Sequence, residues 1–240
     1  MPKIHWLEPS DPADSFPDPD DALLEPDGLL AIGGDLSVDR LLVAYRHGIF
    51  PWYQDEQPIL WWCPATRAIL FPSDLHISRS LRKTIRQDRF QFSFDQAFDA
   101  VVDGCADMRS ATGTWITPEM SAAYKALHQA GHAHSVEIWH ANELAGGVYG
   151  ISIGAMFFGE SMFSAVPNAS KLALFCLAAC SVELGIKLID CQLPSAHLTS
   201  LGSRQVPRRT FLDLLKRYTA LGSRTNWSRR PDLPSRLLPE

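Results

Sequence analysis

At 240 residues, 46% hydrophobic and 20% charged, with 7 Trp and 12 Phe, the chain carries enough apolar surface for a sizeable core. This composition excludes a disordered or repeat-built protein, because so many aromatic side chains are not left in water. The net charge of −5 is unevenly placed: residues 1–40 hold ten acids and two bases, whereas His76 to Arg89 holds five bases and one acid, a local patch suited to a polyanion.

The longest charge-free stretch, Leu144 to Gly159, has 16 residues and is rich in glycine, too short to span a bilayer. The N-terminus lacks the apolar segment of a signal peptide, so a cytoplasmic protein with no membrane partner is expected. The five cysteines contain no CxxC and are expected to be buried thiols rather than a disulfide framework.

In chain order, residues 1–25 read as an extended Pro- and Asp-rich surface arm. Leu29 to Ile32 is a short apolar run. Ser37 caps a helix that ends at Arg46 before Gly48, with Leu41, Leu42 and Tyr45 on one face. Aromatic loops follow at Ile49 to Tyr53 and at Trp61-Trp62. A boundary is placed at residue 64, giving a small N-terminal α/β domain (1–64), a larger domain (65–222) and a loosely held tail (223–240).

In the larger part, Arg67 to Phe71 reads as a strand, Ser78 to Arg86 as a basic helix and Phe94 to Ala106 as another helix. Thr117-Pro118 opens a helix that Gly131 closes. His134 to His140 alternates with period two, and Leu144–Gly150 and Ile151–Phe158 complete a meander. Asn168 caps an apolar helix from Lys171 to Leu184. Ile186 to Leu193 is a strand, and Pro207 opens the last helix, to Tyr218. A strand–helix–strand unit at the end of the meander predicts one parallel pair in an otherwise antiparallel sheet. The class is therefore α+β.

Core packing does not account for four segments: Gly48 to Trp52, Gly113 to Thr117, Phe157 to Phe163 and Leu188 to Gln192. Asp190 and Gln192 alternate on a strand, so both are expected on one face, with Ile189 and Cys191 on the other. Two polar groups at the end of an apolar strand need partners. They are either a satisfied pair at a strand edge or a site at the carboxyl end of a parallel strand. Glu160 among Phe157, Phe158, Met162 and Phe163 is either a loop acid reaching solvent or a carboxylate aimed into an apolar pocket. His128, His132 and His134 lack matching ligands nearby, and no metal is expected. No GxSxG elbow and no GxxxxGK[ST] loop occurs.

The stretches GLLAIGGDLS, HGIFPWY, ILWWCP, LHISRSLRK, GTWIT, GHAHSVEIW, GGVYG, FFGESMFS, NASKLAL, KLIDCQ, HLTSLGS and VPRR occur in one order over residues 18–218. With them the chain closely resembles the leucyl/phenylalanyl-tRNA–protein transferases. The resemblance implies an acetyltransferase-like (GNAT) mixed-sheet domain behind a small N-terminal domain. It implies transfer of Leu, Phe or, less often, Met from aminoacyl-tRNA to the α-amine of proteins beginning with Arg or Lys, an N-degron tag for degradation. The enzyme would act as a monomer without a cofactor.

Asp190 and Gln192 match the family's catalytic pair and Glu160 its active-site acid. Trp52 and Trp115 match the residues that hold the aminoacyl-adenosine. Phe157, Met162 and Ile189 line the amino-acid pocket, with Ser161 also among the substrate-binding residues. Val148 and Leu177 stand where the family pattern has Met and Phe. Arg79, Arg82, Lys83 and Arg86 of the basic helix would meet tRNA phosphates. Asp190 and Glu160 would bind the cationic acceptor end while Gln192 aligns its amine. The alternative is a GNAT-like acyltransferase with another donor, such as acyl-CoA. Against it, the (Q/R)xxGx(G/A) loop of acetyl-CoA enzymes is missing.

Overall fold

The computed structural model describes residues 4–87, 89–108 and 116–222, together with Trp227. Within them the chain forms two sheets. The first contains β1 (His5–Leu7), β2 (Leu29–Gly33), β3 (Phe50–Pro51) and β4 (Leu60–Trp62), in the order β1–β2–β4–β3. β1 lies parallel to β2, and β4 runs antiparallel to β2 and β3.

The N-terminal stretch is mostly exposed, as its composition suggests, but it is tied to the small sheet. β1 pairs with β2, and the buried guanidinium of Arg40 donates to the carbonyls of Asp11 (2.8 Å) and Pro12 (3.3 Å) and to the Asp35 carboxylate (3.1 Å). Arg40 sits on α1 (Val38–Arg46), whose N-cap Ser37 accepts from the Arg40 N–H. The expected stop follows α1, where Gly48 has φ +77°.

The second sheet has seven strands in the order β11–β5–β10–β9–β8–β7–β6. They are β5 (Thr66–Leu70), β6 (Phe90–Phe94), β7 (Ala133–His140), β8 (Glu143–Ile153), β9 (Met156–Ser164), β10 (Leu188–Gln192) and β11 (Arg204–Pro207). The helices are α2 (Arg79–Arg86), α3 (Phe98–Asp107), α4 (Pro118–Gln129), α5 (Ala169–Ala179), α6 (Ala196–Ser200) and α7 (Arg208–Thr219). Hence the chain is α+β, a small N-terminal sheet followed by a mixed one.

Two elements differ from the sequence reading for a packing reason. Phe90 to Phe94 is an edge strand, and the helix begins only at Phe98. The glycine-rich run 143–153 is one strand rather than two. A Cβ on Gly146 would stand 2.6 Å from Ala169 of α5, and one on Gly147 would stand 2.9 Å from Val101 of α3. Those glycines let helices close on both faces of the strand, so they mark close packing. The reversal comes later, at Gly154, where φ is +59°.

Side-chain alternation then builds two cores. Val148 and Phe157 face the apolar helix α5, while Tyr149, Ile151 and Phe158 face α3 and α4. Phe157 and Phe158 are both fully buried, worth about 1.5–3 kcal/mol each. The ring of Tyr45 meets Phe158 edge-on at 5.2 Å, which joins α1 to the large sheet. Trp227, from the stretch expected to be loosely held, is buried; it stacks on His134 at 4.3 Å and touches Phe157 at 5.8 Å.

The predicted parallel pair is β9 with β10, joined through α5. Its registered pairs end at Phe158 with Asp190. Beyond that point β9 stays bonded to β8, and β10 stays bonded to β5. The two strands therefore part, and the gap between them is the mouth of a cleft.

Candidate active site

The cleft holds about 320 Å3. β9 and β10 form its floor, Leu174 of α5 and Leu198 of α6 close one side, and Phe50, Pro51 and Trp52 lean over it from the small sheet. Phe157, Met162, Ile189 and Val148 make the apolar wall, and Glu160, Ser161, Cys191 and Gln192 supply the polar groups. Trp52 is 41% exposed at the rim, with its ring against Trp62 at 5.7 Å. Leu177 is buried in the α5 core and does not line the cleft, so of the two departures from the family pattern only Val148 does. Trp115 lies outside the described residues.

Simple strand alternation fails at the end of β10. The ladder to β5 shifts between Asp190 and Gln192, and Gln192 has φ +52°. That bulge brings Cys191 and Gln192 both to the cleft and leaves Asp190 beneath it, with no exposed surface. Arg67 of β5 holds Asp190 in two parallel bonds, Nε to Oδ1 at 2.9 Å and Nη2 to Oδ2 at 2.7 Å. The guanidinium lies between the rings of Phe50 (4.6 Å) and Phe211 (4.5 Å). Asp190 Oδ1 also accepts the Gln192 backbone N–H at 2.9 Å. With both oxygens committed and sealed, Asp190 is not placed to bind an acceptor's cationic side chain, contrary to the expectation above.

Glu160 has the opposite surroundings. Its Oε2 accepts from the Tyr124 hydroxyl at 2.6 Å, and its Oε1 accepts from Gln192 Nε2 at 3.2 Å. Tyr45 of α1 lies behind, hydroxyl to hydroxyl with Tyr124 at 3.1 Å. Burial pushes the Glu160 carboxyl up to about 7; the two tyrosine hydroxyls oppose that rise, Asp190 adds to it and Arg67 opposes it. Burial and then the Glu160 charge hold both tyrosines well above the ordinary phenol range. Burial and the Asp190 charge push the Cys191 thiol up to about 12, so it is no thiolate nucleophile at neutral pH.

On α2, Leu81 and Ile85 are buried while Arg79, Lys83 and Arg86 are exposed, so the basic side faces solvent. Asn168 Nδ2 donates to Thr84 Oγ1 at 3.2 Å and ties α2 to the start of α5, the helix that borders the cleft. The histidine group divides. His128 and His134 gather with Asp95, while His132 stays apart. Asp95 already accepts from His134 Nδ1 (2.7 Å) and the Ser135 N–H (2.8 Å), and His128 Nδ1 meets the Ala133 carbonyl (2.8 Å). Those bonds fasten the turn after β6 to β7.

Arg67, Tyr45 and Tyr124 were not among the expected site residues. Arg67 did carry a signal: an arginine inside an apolar strand requires a buried acid. The tyrosines carried none, because each falls on the apolar face of its helix.

The match to known proteins is extensive. The family profile described as leucyl/phenylalanyl-tRNA protein transferase matches residues 69–216, and the profile of its N-terminal domain matches residues 34–65. Among curated proteins, the leucyl/phenylalanyl-tRNA–protein transferase of Azotobacter vinelandii is 56% identical over 89% of this chain and 95% of its own length. That of Pseudomonas aeruginosa PAO1 is 54% identical over 90% and 95%. Solved structures with some likeness include a GCN5-related N-acetyltransferase from Kribbella flavida (14% identity, TM-score 0.38, 70% of this chain and 59% of that one) and FemX (10%, TM-score 0.42, 74% and 71%).

The extent of the sequence matches makes this an aminoacyltransferase. More particularly, the chain belongs to the leucyl/phenylalanyl-tRNA–protein transferase family.

Proposed function

We propose that the protein moves Leu or Phe, and less often Met, from aminoacyl-tRNA to the α-amine of proteins beginning with Arg or Lys. The product is a protein tagged for degradation in the cytoplasm. The observation that carries this reading is the joining of an apolar cleft of about 320 Å3 to a polar end made by Glu160 and Gln192. The donor is an ester and the product an amide, so the reaction runs downhill and needs no ATP. The work is orientation, which supplies up to about 7–11 kcal/mol in favourable cases.

The amino-acid side chain enters between Phe157, Met162 and Ile189. One methylene is worth about 1–3 kcal/mol in such a wall, so Leu, Met and Phe are sorted only loosely. The terminal adenine stacks on Trp52, worth about 1–3 kcal/mol per base, with Trp115 the second stacking candidate and Ser161 a further contact. Gln192 Nε2 is engaged by Glu160, which only accepts when ionised. The amide carbonyl of Gln192 therefore remains to accept from the attacking amine. Asp190, clamped by Arg67, holds the Gln192 backbone in its positive-φ conformation and acts through it.

The exposed bases of α2 take the tRNA phosphates, Arg79, Lys83 and Arg86 from the solvent side and Arg82 beside them. Replacing Lys83 and Arg86 with Ala is expected to weaken tRNA binding and to lower the slope of log affinity against log salt by about one per removed contact. An unchanged slope removes α2 from the RNA path.

The decisive assay offers the protein tRNA charged with labelled leucine, or acetyl-CoA, together with a Lys-headed peptide. Label on the peptide N-terminus is expected from the tRNA alone. Acetyl transfer instead, or label retained on the tRNA, refutes the reading.

A further inference from the structure

We infer that Glu160 takes the proton from the acceptor's α-ammonium group, with Tyr124 as the positioning residue that holds Glu160 for that task. The inference rests on the transfer reading above and assigns the one step that reading leaves open. An α-amine with a pKa of about 8 is mostly protonated at neutral pH and has no lone pair for attack.

The cleft's polar groups narrow the choice. Gln192 carries an amide, which is not a base. Cys191 keeps its proton, and Ser161 has only a hydroxyl. Asp190 is sealed below the cleft by Arg67. Glu160 lines the cleft, and its Oε1 is 3.2 Å from the Gln192 amide that would align the amine. Tyr124 fixes Oε2 at 2.6 Å, whereas Oε1 carries the longer bond, from the Gln192 amide at 3.2 Å, so Oε1 is the oxygen better able to exchange a proton.

The ionisable groups packed around Glu160 are Tyr45 from α1, Tyr124 from α4, and the Asp190–Arg67 pair from β10 and β5; Tyr149 of β8 packs on Tyr124 at 5.4 Å. Together with burial they bring the carboxyl to about 7. This lies close to the amine it must serve, as proton transfer requires.

The step balances as follows. An ammonium N–H bond breaks and an O–H bond forms on Glu160 Oε1. The freed amine lone pair makes the C–N bond to the ester carbonyl carbon, and the C–O bond to the ribose breaks. A second N–H proton passes to the departing ribose oxygen. Glu160 then gives its proton to water, so ester plus ammonium becomes amide, ribose hydroxyl and one released proton.

The test measures single-turnover transfer from leucyl-tRNA by the full-length protein to two peptides across pH 5.5–8.5. One peptide begins with ordinary Arg. The other carries an α-hydrazino group in place of the α-amine, which is already neutral at pH 7. Glu160→Gln is expected to slow transfer to the ordinary peptide by about 100-fold or more and to slow transfer to the hydrazino peptide far less. An equal loss on both, or a loss confined to KM for either substrate, overturns the assignment, since it marks Glu160 as a binding group. Tyr124→Phe keeps the ring and removes one bond to the carboxylate; its acidic limb is expected to move up by about one pH unit with KM unchanged. A limb that stays in place overturns the role of Tyr124. A wild-type protein that transfers to neither peptide overturns the transfer reading itself.

Discussion

Two carboxylates meet the same cleft floor and have opposite surroundings. Asp190 has no exposed surface, and two parallel bonds from the Arg67 guanidinium hold its carboxylate. Glu160 is half-buried at the cleft, and its donors are neutral, a tyrosine hydroxyl and an amide. A neutral donor offsets desolvation less than a guanidinium does. Hence one acid is built into the scaffold by a guanidinium, and the other, with neutral donors, is left near 7, able to change its charge. Burial alone does not decide what a buried acid does; the charge of its partner does.

The sharpest way to break this contrast is to remove the guanidinium. Arg67→Ala leaves Asp190 buried and unpaired and is expected to destabilise the protein by about 3–5 kcal/mol. Urea denaturation at pH 8 measures it. The double change Arg67→Met with Asp190→Leu should recover most of that stability while losing transfer, because the Gln192 backbone loses its anchor. A double variant no more stable than Arg67→Ala would show that Asp190 is not the source of the penalty.

A smaller effect of opposite sign is expected at Glu160. Its folded carboxyl titrates at about 7, against 4.5 for the free group. Between those values the folded state holds more protons than the unfolded one, so stability falls as pH rises through this window. The full loss is about 3 kcal/mol above pH 7. Glu160→Gln abolishes that titration, so the variant should be more stable than wild type at pH 8 by up to this amount, and close to it at pH 4.5. Asp190→Asn should show no such gain, because it breaks a satisfied pair. A Glu160→Gln variant less stable at pH 8 would put the two acids on the same footing. The gain would come at the expense of turnover, as is usual for a strained active-site group.

The sequence announced these two acids unequally. Glu160 stood out as a carboxylate inside an aromatic run, and the structure finds it at the cleft. Asp190 and Gln192 were legible as polar groups at a strand end, but their shared face was not real. Alternation assumes an even ladder, and a bulge with one residue at φ +52° redirects everything after it. The partners were harder still. Arg67 lies 123 residues from Asp190, and Tyr124 lies 36 from Glu160; no local period reports such pairings. Likewise the strand break expected after Gly150 is absent, and what Gly146 and Gly147 serve, two helices closing on one strand, is a contact across the fold. The helix starts at Ser37 and Thr117 were legible, since both side chains bond their own first turns, whereas Asn168 makes no side-chain cap bond and α5 ends at Ala179 instead of Leu184.

The mildest probe of the contrast is Tyr45→Phe. The ring stays edge-on to Phe158, so packing is retained and only the hydroxyl is lost. That hydroxyl bonds Tyr124, whose own proton goes to Glu160, and it also opposes the rise of the Glu160 carboxyl itself, so Tyr45 is the rear support of the acid. Losing one neutral bond costs about 1 kcal/mol. If the chain of hydroxyls exists to support a carboxylate, the cost should be larger at pH 8, where Glu160 is ionised, than at pH 5, where it is not. Paired thermal melts of wild type and variant at the two values measure the difference. A pH-independent cost would make Tyr45 a packing residue with a satisfied hydroxyl, and the electrostatic support of Glu160 would then end at Tyr124.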